Sequence, residues 1–87
     1  MNNLNVSLYL VTDSTYHTEE SFLRTVEDAC KGGVTLVQLR EKNTGGRDYL
    51  EKACKVREIT DRYQIPLIID DRVDVAMACG AAGVHVG

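Results

Sequence analysis

The fold of this chain is decided by the segment Val34-Thr35-Leu36-Val37-Gln38-Leu39-Arg40-Glu41-Lys42. Its first residues are β-branched and apolar, which predicts a buried strand over residues 34–40. Side chains alternate between the two faces of a strand, so Gln38, Arg40 and Lys42 share one face. Packing does not account for three polar groups at the end of an apolar strand. The segment therefore predicts an anionic ligand at the C-terminal edge of this strand.

Size and composition restrict the class of protein. At 87 residues and 44% hydrophobic, the chain can form one small core and thus one domain. The net charge of -3 argues against a nucleic-acid partner, and no apolar run approaches the roughly 20 residues of a membrane span. The start, Met1-Asn2-Asn3-Leu4-Asn5, lacks the basic and apolar regions of a signal peptide. We expect a cytoplasmic protein.

The chain has three cysteines, Cys30, Cys54 and Cys79, and no C-x-x-C pair. An odd number in a cytoplasmic chain argues against a disulfide framework, and metal sites usually need clustered ligands. We predict that each cysteine lies on the apolar side of a helix as a small hydrophobic residue.

Strands and helices alternate in the predicted order β-α-β-α-β-α-β. Strands are expected over residues 8–11, 34–40, 67–69 and 83–87, and helices over about residues 19–31, 47–63 and 73–79. Thr18 is the expected N-cap of the first helix, which Gly32-Gly33 ends.

Such alternation implies parallel strands joined by right-handed crossovers, as in a doubly wound sheet or a (β/α)₈ barrel. No G-x-G-x-x-G follows a strand, so a dinucleotide-binding fold has no support. A barrel takes about 250 residues, and small ones about 200. We therefore predict an α/β fold in which residues 1–87 form a single incomplete domain, the N-terminal half of a TIM barrel that stops at its fourth strand.

Charged residues follow the predicted strands. Asp13 comes after the first, Arg40 and Lys42 end the second, and Asp70 and Asp71 end the third. Functional groups of parallel βα folds gather at this edge. Arg and Lys bind phosphate oxygens, and Mg²⁺ is typically held by one or two carboxylates together with substrate phosphates. The set predicts a site for a diphosphate and Mg²⁺.

Other interpretations of these residues remain open. The cations could form ordinary ion pairs with Glu41 or the aspartates, Asp71 could cap the next helix, and Asp13 could belong to a turn. Thr44-Gly45-Gly46 could offer backbone amides to a phosphate or be a plain loop. His85 alternates with two valines, so it should face the barrel interior, where a hydrogen-bonded structural histidine is the commoner case.

The chain resembles the thiamine-phosphate synthase family, also called thiamine-phosphate pyrophosphorylase. The matching segments are Leu8-Tyr9-Leu10-Val11-Thr12-Asp13, Gly33-Val34-Thr35-Leu36-Val37-Gln38-Leu39-Arg40-Glu41-Lys42, Pro66-Leu67-Ile68-Ile69-Asp70-Asp71-Arg72-Val73-Asp74-Val75-Ala76 and Gly80-Ala81-Ala82-Gly83-Val84-His85-Val86-Gly87. They follow the family's order and spacing over nearly the whole chain.

The resemblance implies a (β/α)₈ barrel and a transferase of thiamine biosynthesis. That enzyme couples hydroxymethylpyrimidine diphosphate to thiazole phosphate, giving thiamine phosphate and pyrophosphate. It implies that Asp71 holds Mg²⁺ and that the pyrimidine diphosphate is bound by Gln38, Leu39, Arg40, Glu41, Lys42 and Asp70. The family usually has Asn at the position of Asp70. A carboxylate only accepts hydrogen bonds, so Asp70 either loses this contact or becomes a second carboxylate beside the metal.

The reaction implied by the resemblance needs no side-chain nucleophile. Cations would stabilise the negative charge that grows on the departing diphosphate, and the thiazole nitrogen would attack the pyrimidine methylene. Family members continue with a second Mg²⁺-binding Asp and with the loops that hold the thiazole phosphate, so we expect little or no synthase activity from these 87 residues alone. The alternatives are a thiazole tautomerase of the same superfamily and a non-catalytic half-barrel that self-associates through its open edges.

Overall fold

The structure, a computed structural model, describes residues 8–12, 18–41 and 45–86. Its elements are β1 Tyr9–Thr12, α1 Glu19–Lys31, β2 Leu36–Leu39, α2 Gly46–Arg62, β3 Leu67–Asp70, α3 Val73–Cys79 and β4 Gly83–His85. The predicted order of strands and helices is confirmed. The boundaries differ by one or two residues, with β3 continuing through Asp70.

The four strands form one parallel sheet in the consecutive order β1-β2-β3-β4. A doubly wound sheet reverses its strand order at a switch point, and this sheet has no reversal. Right-handed crossovers that always proceed in one direction place every helix on the same face of the sheet. The barrel alternative is therefore confirmed for this part of the chain.

The core lies between that face and the helices. Val37 and Leu39 of β2, with Leu67 and Ile69 of β3, are at most 2% exposed and pack against buried residues of all three helices. These helix residues are Phe22, Val26, Cys30, Tyr49, Ala53, Val56, Ile59, Val75, Ala76 and Cys79. The strand positions share one parity, so the opposite parity forms a second face that no helix of the described residues covers.

Local signals explain where the helices begin and end. The Thr18 side chain accepts a hydrogen bond from the backbone N–H of Ser21 at 3.1 Å, as expected of an N-cap. Gly80 ends α3 with a φ of +73°, a conformation that side chains disfavour. The Arg57 guanidinium donates to the carbonyl oxygen of Cys79 at 3.0 Å, so a carbonyl at the end of α3 is satisfied.

The prediction for the cysteines is only partly correct. Cys30 and Cys79 are buried, and burial raises the pKa of both thiols. Cys54 is exposed, because it follows Ala53 on α2 and faces away from the stripe that packs on the sheet. All three are free thiols.

The face opposite the helices is called the open face below. It comprises Tyr9, Val11, Leu36, Gln38, Arg40, Ile68, Asp70, Gly83 and His85. Tyr9 and Val11 on the edge strand β1 are 67% and 54% exposed. Val84 and Val86, on the helix side at the other edge, are 37% and 68% exposed. Apolar side chains thus face solvent at both edges of the sheet.

Among the residues that the structure describes, none of the helices combines the length and the apolar character that crossing a bilayer requires.

Tyr49 joins the ends of the two central strands. Its hydroxyl lies 3.0 Å from the carbonyl oxygen of Leu39, which ends β2, and 3.0 Å from that of Asp70, which ends β3. The residue is 1% exposed, and burial raises the pKa of the hydroxyl above its ordinary value. The phenol therefore remains a hydrogen-bond donor at the edge where the candidate site lies.

We predict that Tyr49→Phe lowers the free energy of unfolding by about 1–2 kcal/mol, because the single O–H donor that lies between the carbonyl oxygens of Leu39 and Asp70 is lost. Urea denaturation followed by circular dichroism measures the difference. Tyr9→Phe is the matched control, since Tyr9 is 67% exposed on β1 and should change stability little. Equal effects of the two substitutions would contradict this role of Tyr49.

Candidate active site

Asp70 is the centre of the polar cluster on the open face. Its Oδ1 accepts a hydrogen bond from Nε2 of Gln38 at 3.1 Å and lies 2.9 Å from Nδ1 of His85. Its Oδ2 lies 3.6 Å from Nε of Arg40. The parallel register aligns Asp70 with His85 on β4, and Gln38 and Arg40 reach it from β2. One carboxylate thus links side chains of three neighbouring strands.

Exposure differs sharply within this cluster. The Asp70 side chain is 11% exposed, whereas those of Arg40 and His85 are 52% and 61% exposed. The carboxylate therefore forms the floor of the cluster, and the cation and the imidazole form its rim. Arg40 retains the solvent access that a cation needs to bind an anionic ligand.

Asp71 has a different environment. It adopts a φ of +62°, a left-handed conformation uncommon for a residue with a side chain, and its backbone N–H donates to the carbonyl of His85 at 2.7 Å. The N-cap of α3 is Arg72, whose side chain makes no capping hydrogen bond. Asp71 therefore lies one residue before the N-cap position. Its side chain is exposed at the C-terminal end of β3.

Arg72 is a cation at this edge that the sequence analysis did not identify. Its guanidinium donates to both carboxylate oxygens of Asp74, at 3.0 and 2.9 Å, and this pairing lowers the pKa of Asp74. The guanidinium also lies 5.9 Å from the centre of the Tyr49 ring. A Cβ built on Gly46 would lie only 2.8 Å from Nη2 of Arg72, so the absence of a side chain there admits Arg72 to the N-terminus of α2.

Leu39 and Glu41 lie away from the cluster, although the resemblance places them with the substrate-binding residues. Leu39 is fully buried in the core. The Glu41 carboxylate is 3% exposed and forms an ion pair with Nζ of Lys52 on α2 at 2.7 Å. Strand alternation explains both positions, since odd-numbered residues of this segment point toward the helices. The side chains of Leu39 and Glu41 pack into the fold, and contact of these two residues with a substrate stays a prediction.

The ion pair beneath the site is predicted to be important for stability. Lys52→Met should lower the free energy of unfolding by about 3 kcal/mol, because it removes the cation facing a nearly buried carboxylate. Urea denaturation provides the measurement. Lys55→Met is the matched control on the same helix, because the pair of Lys55 with Glu19 has a similar distance of 2.8 Å but is exposed on both sides. If both variants lower the free energy of unfolding by the same amount, burial of the Glu41 carboxylate does not determine the effect.

Three predicted positions, Asp13, Lys42 and Thr44, lie outside the described residues. Gly45 is the N-cap of α2 and forms no side-chain hydrogen bond with the first backbone amides of that helix. These amides lie at the same edge of the sheet as the predicted site. No group of three or more His, Cys, Asp or Glu side chains suited to a metal ion occurs among the described residues. Asp71 offers an exposed carboxylate at this edge, and Mg²⁺ bound to it would need further oxygens from a ligand.

Consecutive parallel strands, helices on one face and polar side chains at the C-terminal strand ends define a TIM-barrel type of α/β protein. The sequence model described as thiamine monophosphate synthase matches residues 8–87. The chain therefore belongs to the thiamine monophosphate synthase family.

Individual relatives agree with this assignment. A thiamine-phosphate synthase of Methanobrevibacter smithii is 55% identical over all 87 residues, which cover 41% of that protein. Thiamine-phosphate synthase 2 of Streptococcus pneumoniae is 56% identical, with the same coverage. The solved thiamine phosphate pyrophosphorylase of Pyrococcus furiosus superimposes with a TM-score of 0.81 at 38% identity, over 91% of this chain and 38% of that one. The chain thus spans about two fifths of the length of these relatives.

Proposed function

We propose that this chain provides the part of a thiamine-phosphate synthase that binds the pyrimidine diphosphate. The observation that carries the proposal is the convergence of Gln38, Arg40 and His85 on Asp70 at the C-terminal strand ends. An exposed guanidinium beside an amide and an imidazole suits a ligand with an anionic tail and a polar ring. The relatives are named thiamine-phosphate synthases, and the chemistry of the cluster fits that activity.

Each residue has a role in this proposal. Arg40 and Lys42 bind the diphosphate and neutralise the charge that develops as the carbon–oxygen bond to the pyrimidine methylene breaks. Gln38 contacts the pyrimidine ring. No nucleophile is required of these residues, because the incoming thiazole nitrogen forms the new bond and pyrophosphate departs with the electron pair of the broken one.

Mg²⁺ is the proposed cofactor, with Asp71 as its protein ligand. Both oxygens of Asp70 already face partners within the cluster, which argues against Asp70 as a second ligand. A single exposed carboxylate can bind Mg²⁺ when diphosphate oxygens supply the other ligands. It is too few ligands to bind the ion tightly without the diphosphate. When bound, the ion would supply positive charge to the leaving diphosphate.

Calorimetric titration of the 87-residue chain with inorganic pyrophosphate tests this binding site. We expect binding in the presence of Mg²⁺ and at least tenfold weaker binding without it. Arg40→Ala should weaken binding about tenfold or more, because a charge-assisted hydrogen bond contributes about 1.5–3 kcal/mol. Asp71→Asn should reduce the dependence on Mg²⁺.

Arg24→Ala is the control for this titration, since Arg24 lies on α1 and pairs there with Glu20. It should leave pyrophosphate binding unchanged. Wild-type affinity in the Arg40→Ala variant would refute the site, and Mg²⁺-independent binding of a thiazole phosphate instead would favour the tautomerase alternative.

We further propose that the chain by itself has little or no synthase activity. It spans about two fifths of the length of the relatives. Formation of thiamine phosphate from both substrates should be undetectable or at least about a thousandfold slower than with a full-length relative, since the two reactants must be held in register. Turnover comparable to that relative would overturn this proposal.

We also propose that the chain is cytoplasmic and self-associates through its sheet edges. The exposed pairs Tyr9/Val11 on β1 and Val84/Val86 at β4 support pairing between copies, because unpaired edges with apolar side chains favour association. Sedimentation equilibrium should show a dimer that Val11→Lys weakens. Met77→Lys, at a 78% exposed position on α3, should not. A monodisperse wild-type monomer at all concentrations would exclude this association.

A further inference from the structure

The regular part of β2 ends one residue before the cation of the candidate site. The strand spans Leu36–Leu39, and the next two residues, Arg40 and Glu41, belong to no strand or helix. The backbone N–H of Arg40 still donates to the carbonyl oxygen of Thr12 at 2.8 Å. Past this hydrogen bond, the direction of the Arg40 side chain depends on contacts that the regular sheet does not supply.

Two residues of α2 hold the chain on both sides of Arg40. The hydroxyl of Tyr49 lies 3.0 Å from the carbonyl oxygen of Leu39, and Nζ of Lys52 donates to Oε1 of Glu41 at 2.7 Å. Tyr49 and Lys52 are three residues apart, so they lie on the same face of the helix. The residues before and after Arg40 are thus both linked to one helix, while Arg40 itself faces Asp70 on the open face.

The link between Lys52 and Glu41 has little freedom, because both side chains are largely buried. The Lys52 ammonium also lies 5.6 Å from the centre of the ring of Phe22, a buried residue of α1. Separating a buried ion pair leaves each charge without compensation in a poorly solvated place, so the pair stays closed. The Glu41 side chain is therefore fixed relative to α2.

We propose that Lys52 is a positioning residue for Arg40 in the proposed diphosphate site. By linking Glu41 to α2, it fixes the backbone of Arg40, so the guanidinium is already on the open face when an anion arrives. A binding group that is in place beforehand loses less conformational entropy when the ligand binds. This inference rests on the proposed function for the anion that Arg40 binds, and it assigns to Lys52 no contact with that anion.

Stabilising the fold is a different role for the same ion pair, and a double variant separates the two roles. Glu41→Ala/Lys52→Ala leaves the net charge unchanged and leaves neither partner buried without a counter-charge, so the fold should persist. The link from α2 to the end of β2 is nevertheless absent. Glu19→Ala/Lys55→Ala is the matched control, because it removes an exposed ion pair of similar length, 2.8 Å, that joins α2 to α1.

Amide hydrogen exchange measured by NMR on the 87-residue chain tests the link without any ligand. In Glu41→Ala/Lys52→Ala, the Arg40 amide should exchange at least about tenfold faster than in the wild type, because the end of β2 opens locally. The amide of Val37, which donates to the carbonyl oxygen of Pro66 at 3.1 Å, should keep its rate. The control variant should change neither rate. Wild-type exchange at Arg40 in the double variant, or equal acceleration at Arg40 and Val37, would overturn the proposal.

Calorimetric titration with inorganic pyrophosphate and Mg²⁺ measures the consequence for binding. Glu41→Ala/Lys52→Ala should bind about tenfold more weakly than the wild type, since a small misplacement of a binding group lowers affinity steeply. Glu19→Ala/Lys55→Ala should bind as the wild type does. Wild-type affinity in the first double variant would overturn the positioning role. Absence of pyrophosphate binding in the wild type would count against the proposed function alone, and the exchange rates would still decide whether Lys52 fixes Arg40.

Discussion

The alternation of side chains along β2 and β3 is the constraint on which the rest of the structure depends. Helices cover only one face of the sheet, so every second residue of these strands must be apolar. Val37 and Leu39 satisfy this requirement, and Gln38 lies between them on the other face. A shift of one residue in register would bury Gln38 and expose the core. Stability and chemistry are therefore fixed by the same register.

The cluster on the open face depends on that register in a second way. Asp70 meets His85 because parallel pairing places them opposite each other, and it meets Gln38 across the neighbouring strand. From the helix side, the hydroxyl of Tyr49 lies within hydrogen-bond distance of the last carbonyl oxygens of β2 and β3. Buried contacts beneath the sheet thus position polar groups above it, which reduces the freedom that a ligand would otherwise have to remove.

Local patterns made most of the fold predictable from the sequence. Thr18 and Gly80 define helix ends through their own side chain or backbone, so neighbouring residues suffice to predict them. Strict strand alternation is enough to predict that Glu41 points toward the helices. Its ion pair with Lys52 on α2 is a tertiary contact that the sequence pattern does not contain. Cys54 was misplaced because a single residue of helical rotation separates the buried stripe from solvent.

The candidate site was predictable as a set of residues and not as a network. Strand ends placed Arg40 and Asp70 at one edge, since parallel strands all end there. The pairing of Asp70 with His85 depends on tertiary register, which the pattern of one strand does not contain. Arg72 was missed for a similar reason, because its approach to α2 depends on Gly46, which is distant in sequence.

The consecutive strand order has a consequence for how the chain acquires its structure. Each strand pairs with the strand before it, and each helix packs beside the helix before it. Within the described residues each strand pairs with a strand adjacent in sequence order, so the loop-closure entropy of these pairings stays small. During synthesis, each βα unit can dock on the preceding one as it leaves the ribosome, in the manner of a repeat protein that grows from one end.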